Sequence, residues 1–135
     1  MKRARVLLAD DHADVAEQLR SILETEFDVV ATVADGTALL AAAYMLDPDV
    51  IVTDIAMPGM NGLEATAEIL HRTPTARVVM VTSYEGIDVQ RQALAAGALG
   101  FVTKLSADDE LLPAVHAAYR GERFVGRRPR REKVQ

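Results

Sequence analysis

Short apolar runs rich in β-branched residues alternate along this chain with stretches whose apolar residues recur at helical spacing, and this alternation restricts the fold more than any other feature. Residues 5–9 (RVLLA), 50–53 (VIVT) and 77–81 (RVVMV) are too continuously hydrophobic to be half exposed, as expected of parallel strands covered on both faces. Residues 27–33 and 99–102 are weaker strand candidates. Between these runs, Val15, Leu19, Ile22 and Leu23 recur at helical intervals. Leu63, Ala67 and Leu70 mark a second amphipathic face, Leu39, Ala42, Ala43 and Leu46 a third, and Val89, Ala93 and Ala96 a fourth. Leu111, Leu112, Val115, Ala118 and Tyr119 give a fifth. Pro48, Pro58, Pro74 and Gly97 punctuate the boundaries. The order is (βα)5. Right-handed crossovers then predict a doubly wound α/β fold, a three-layer sandwich around a five-stranded parallel sheet.

Length and composition agree with one such unit. At 135 residues the chain can bury a single continuous core, and half of its residues are hydrophobic while only 4% are aromatic, so that core is aliphatic. No cysteine is present, which excludes disulfides, thiolate metal sites and cysteine nucleophiles. The longest apolar runs, such as residues 39–46, fall well short of the ~20 residues that cross a bilayer. The apolar stretch near Met1 is shorter than a signal-peptide core and runs into aspartates, so a cytoplasmic location is expected. The formal net charge of −5 is unevenly spread. Residues 120–135 hold seven of the 15 basic side chains against Glu122 and Glu132, leaving an acidic body ill-suited to nucleic acid. With Pro129 and Gly126 and little apolar content, residues 124–135 read as a basic linker or disordered tail, or else as a nucleic-acid contact.

The polar residues that carry chemistry fall at the carboxyl ends of the strands. Asp10 and Asp11 close the first, Asp54 the third, Thr82 and Ser83 the fourth, and Lys104 follows the fifth. Open parallel sheets bind ligands beyond those ends, where strand order reverses, so the common order 2-1-3-4-5 of flavodoxin-like folds would bring these residues together. Three carboxylates in one crevice repel one another and call for a cation. An oxygen-only donor set favours Mg²⁺ or Mn²⁺. Lys104 and Thr82 add a point charge and a hydroxyl suited to phosphate oxygens, and Asp54 is then the natural nucleophile of a phosphoryl transfer.

Each residue also has a simpler reading. Asp11 could cap the first helix, Asp54 could merely form a turn before Pro58-Gly59, and Lys104 could be a solvated surface charge. Their joint placement at four strand ends argues for a site. His12, His71 and His116 lack metal-ligand spacing and read as surface or helix residues. Neither a Walker loop nor GxGxxG occurs.

Asp10-Asp11, the run DIAMPGMNG from Asp54, Val81-Thr82-Ser83 and the run AAGALGFVTK ending at Lys104 together resemble the receiver domains of two-component response regulators, over residues 4–123. The resemblance implies a receiver domain in residues 1–123. Asp10, Asp11, Asp54 and the backbone carbonyl of Ala56 would hold Mg²⁺, and Asp54 would accept phosphate from a sensor histidine kinase. Thr82 and Lys104 would contact the phosphoryl oxygens. Phe101 would be the switch aromatic that turns inward as Thr82 follows the phosphate, remodelling the surface of the fourth helix, fifth strand and fifth helix. Such a protein is not an enzyme beyond assisting its own phosphorylation and dephosphorylation. Homodimerisation on phosphorylation is a further expectation.

Two residues depart from the family pattern. Leu105 follows the site lysine where the family often has a cis proline, and a non-proline cis bond costs ~3 kcal/mol, so the local loop is expected to differ. Phe101 replaces the frequent Tyr, which keeps the ring and removes the hydroxyl. The runs GALGFVTK and GERFV are similar to the NarL/FixJ group, whose receivers precede a helix-turn-helix domain, so DNA would be reached only through such a domain, for transcription control. The basic tail is then the start of a linker, or the protein is a stand-alone receiver. A phosphorylation-independent scaffold is opposed by the intact acidic set. A haloacid-dehalogenase-like phosphatase needs a second Asp two positions after the nucleophile, where Ala56 stands.

Overall fold

The computed structural model describes residues 2–83 and 86–126. The elements run β1 (Arg5–Ala9), α1 (Ala13–Glu24), β2 (Asp28–Val33), α2 (Gly36–Leu46), β3 (Val50–Thr53), α3 (Gly62–Arg72), β4 (Val78–Thr82), α4 (Ile87–Ala95), β5 (Gly100–Thr103), α5 (Ala107–Tyr119) and β6 (Phe124–Val125). A single 3₁₀ turn at Lys104–Ser106 joins β5 to α5. All pairings are parallel, in the order β2-β1-β3-β4-β5-β6.

The order 2-1-3-4-5 is therefore present, but among the described residues the sheet has six strands rather than five. Phe124 and Val125 were expected to open the tail; they instead pair with β5, because Phe124 buries part of its ring against the α1/α5 layer. The folded unit thus continues past residue 123. The basic tail from residue 127 onward lies outside the described residues.

Burial explains why some strands are plain in the sequence and others are not. All of β3, β4 and β5 is buried, and all but the first residue of β1. β2, at the sheet edge, is half exposed and so carries a weaker apolar signal. Side chains alternate across the sheet as the strand period requires. Val6 and Leu8 face a layer formed by α1 and α5 with Leu19, Leu23, Leu111 and Val115, whereas Leu7 and Ala9 face α2 and α3 through Leu39, Ala65 and Ile69. Met80 and Phe101 face α4 through Ala93. Among the described residues no helix is long and apolar enough to cross a membrane.

The face expected for α3 is rotated. Ala65, Thr66 and Ile69 are buried, Leu63 and Leu70 only half so, and Ala67 is exposed. The reason is close approach: a Cβ on Gly62 would lie 2.0 Å from the carbonyl oxygen of Asp54. Small residues let α3 press against the loop that follows β3, and the bulkier leucines are left at its flanks.

Candidate functional site

Strand register builds the site. Ala9 is opposite Thr53 in the β1–β3 ladder, so the next residues, Asp10 and Asp54, emerge side by side. The ladders continue into them, with Asp54 N–H donating to the Ala9 carbonyl at 2.9 Å and Asp10 N–H to that of Val33 at 3.0 Å. Thr82 is opposite Thr103 across β4 and β5, which puts Thr82 level with the residue before Lys104. Behind Asp54, Gly62 N–H donates to the Ile55 carbonyl at 2.7 Å, and a capping box between Asn61 and Glu64 fixes the start of α3.

Asp10 and Asp54 are 2% and 4% exposed, a depth at which a carboxylate requires compensation. Asp54 Oδ1 accepts hydrogen bonds from the backbone of Ile55 (2.7 Å) and Ala56 (3.4 Å). Asp10 Oδ1 accepts from the His12 backbone at 2.9 Å. The other two oxygens share one cation: Lys104 Nζ lies 2.9 Å from Asp54 Oδ2 and 2.8 Å from Asp10 Oδ2. The contact with Asp10 is a charge contact, since its buried Oδ2 receives no hydrogen bond of good geometry. Burial of Lys104 disfavours its charge, but the hydrogen bond to Asp54 and the attraction of the two adjacent carboxylates, Asp10 and Asp54, outweigh that and raise its pKa above the ordinary lysine value.

Asp11 does not cap α1. The N-cap is His12, without a side-chain capping bond, which leaves the partly exposed Asp11 carboxylate free to face the cluster. Ligand atoms of Asp10, Asp11, His12 and Asp54 all lie within 4.8 Å of one another. These residues form an acidic pocket able to hold a metal. The oxygen donors suit a hard divalent cation, and the buried Asp10 Oδ2 lacks a hydrogen-bond donor. His12, expected as a surface or helix residue, is exposed at the N-cap of α1, and its imidazole Nδ1 is 3.2 Å from Asp11 Oδ1.

The remaining expected residues divide by environment. Thr82 is fully buried at the end of β4, and Phe101 is packed inward among Ile55, Met80, Ala93 and Ala98. The Lys104–Leu105 peptide is trans, and Leu105 is 86% exposed on the turn after β5.

Residues 6–116 match the response regulator receiver domain family. The transcriptional regulatory protein LiaR of Bacillus subtilis is 38% identical over 120 residues, covering 87% of this chain and 57% of LiaR. The oxygen regulatory protein NreC of Staphylococcus carnosus is 33% identical over 124 residues, 90% of this chain and 57% of NreC. The chain thus spans little more than half the length of these relatives. Among solved structures, a LuxR-family two-component response regulator from Aurantimonas superposes with a TM-score of 0.87 at 36% identity, covering 91% of this chain and 89% of that one. The receiver domain of a NarL response regulator from Mycobacterium tuberculosis gives 0.86 at 31% identity, covering 90% and 100%.

Proposed function

The chain belongs to the response regulator receiver domain family, and from that premise we propose that Asp54 is its phosphoacceptor and that a sensor histidine kinase is the donor. The observation that carries this reading is the double engagement of Lys104 Nζ by Asp10 and Asp54. An ammonium already aimed at the acceptor carboxylate is positioned to follow the oxygens of an incoming phosphoryl group.

In the transfer, a carboxylate oxygen of Asp54 forms a bond to phosphorus as the phosphorus–nitrogen bond of a phosphohistidine breaks. The electron pair of that bond returns to the departing imidazole, which takes up a proton. Backbone N–H groups of Ile55 and Ala56 hold one Asp54 oxygen in place. Lys104 and the Thr82 hydroxyl, at the ends of adjacent strands, would bind the transferred oxygens. Asp10, Asp11, Asp54 and the Ala56 carbonyl are the groups that would hold Mg²⁺. When bound, this ion supplies positive charge that offsets both the carboxylates and the phosphoryl oxygens. The group signals rather than turning over a substrate.

Thr82 and Phe101 form the switch pair in this reading, and a homodimer on phosphorylation follows from it. Relatives described as transcriptional regulators support an output through DNA made by a further domain rather than by this acidic unit. Residues 127–135 would serve as the linker, and a cytoplasmic location suits a kinase partner.

Incubation with Mg²⁺ and a small acyl-phosphate donor, followed by intact-mass measurement, tests the proposal. One phosphoryl adduct is expected on the wild type and none on Asp54→Asn. An unmodified wild type overturns it.

A further inference from the structure

The outer edge of β5 holds a segment to which the phosphoacceptor reading gives no role. Phe124 lies opposite Gly100 and Val125 opposite Phe101. Phe124 N–H donates to the Leu99 carbonyl at 2.9 Å, and Gly126 N–H to the Phe101 carbonyl at 2.8 Å. The segment therefore grips the backbone of the residue whose ring fills the pocket beside α4. It approaches very closely at its end: a Cβ on Gly126 would meet Glu110 Oε1 at 2.3 Å and the Phe101 carbonyl at 3.1 Å. Three residues beyond Phe101, Lys104 is held by Asp10 and Asp54. A strand of four residues is thus tied to the acidic pocket at one end and to the departing chain along its edge.

We propose that the β5 edge is the surface through which the state of Asp54 reaches the chain beyond residue 126, with Phe124–Gly126 as its partner, and that phosphorylation of Asp54 tightens this pairing. The proposal rests on the phosphoacceptor reading. A phosphoryl group brings roughly one charge more than a carboxylate, and three strong acceptor oxygens. Lys104 then has a stronger anionic partner, and the end of β5 is held more firmly. A parallel partner strand of two residues makes few ladder hydrogen bonds, so its occupancy follows the order of the strand it binds. Coupling of this kind is reciprocal: weakening β6 lowers the equilibrium constant for phosphoryl transfer to Asp54 by the same factor.

Hydrogen exchange of the full chain, with and without Mg²⁺ and acetyl phosphate, reads this coupling at the Phe124 and Gly126 amides, while intact mass reports the adduct. Exchange at both amides is expected to slow by about fivefold or more on phosphorylation. Gly126→Val is expected to speed exchange at Phe124 and reduce the adduct formed at limiting donor. Should that variant fail to fold, the wild-type comparison decides alone. An adduct with unchanged or faster exchange at these amides overturns the coupling and leaves the phosphoacceptor reading intact. Absence of any adduct overturns both.

Discussion

Asp54 and Lys104, 50 residues apart in the chain, meet at 2.9 Å between Oδ2 and Nζ, and the same ammonium reaches Asp10 at 2.8 Å. One cation thereby holds together two buried carboxylates that would otherwise repel, and the energetics of the site follow from it.

Replacing Lys104 with Met leaves Asp10 and Asp54 buried without their counter-charge. The Lys104 side chain is only 14% exposed, so solvent screens this pair little. Loss of one partner of such a pair costs about 3 kcal/mol. Urea unfolding is expected to show that loss without divalent ions and a partial recovery in millimolar Mg²⁺. Equal stability of variant and wild type would make the ion pair incidental.

The raised pKa of Lys104 has a defined consequence for stability. A group whose folded-state value lies above its unfolded value, here 10.5, stabilises the fold fully below that unfolded value. The contribution is lost as pH climbs through the higher folded value. Unfolding free energies measured upward from neutral pH are expected to fall more steeply above 10.5 in the wild type than in Lys104→Met. Parallel curves would contradict the assignment.

Asp10 and Asp11 supply most of the negative charge open to a cation. Asp10→Asn with Asp11→Asn is expected to weaken Mg²⁺ binding by more than about tenfold in calorimetric titration, since affinity for hard ions scales with ligand charge. Stability without divalent ions should hold or rise, because like charges are removed. Undiminished affinity would locate the metal elsewhere.

Gly62 packs directly against the backbone of Asp54. In an unconstrained helix, Ala in place of Gly is favourable by up to about 1 kcal/mol. At residue 62 the new Cβ would sit 2.0 Å from the Asp54 carbonyl oxygen. Gly62→Ala is therefore expected to destabilise by about 1–3 kcal/mol and to slow phosphorylation by shifting Asp54. Chemical unfolding and a time course of adduct formation check the two effects, and a stabilised variant would show that the loop yields freely.

The buried strands and the residues at their ends were legible because burial on both faces demands continuous hydrophobicity, which aspartates and lysine interrupt visibly. β2 was faint because an edge strand needs less apolar surface, and β6 was missed because two residues make no periodic pattern. The face of α3 was misread because leucines mark hydrophobicity, whereas close packing against the Asp54 loop selects Gly62 and Ala65.

Local pattern by itself determined the class of fold, the five main strands and the residue types at their carboxyl ends, since each depends on interactions within a few positions. It did not determine that β1 lies between β2 and β3. That adjacency brings Asp10 beside Asp54, and the β4–β5 register brings Thr82 level with Thr103, just before Lys104. The inward packing of Phe101 and its carbonyl bond to Gly126 were likewise decided only in the assembled sheet. Pairing between strands far apart in sequence depends on how whole layers bury their faces, and no short window of residues records it.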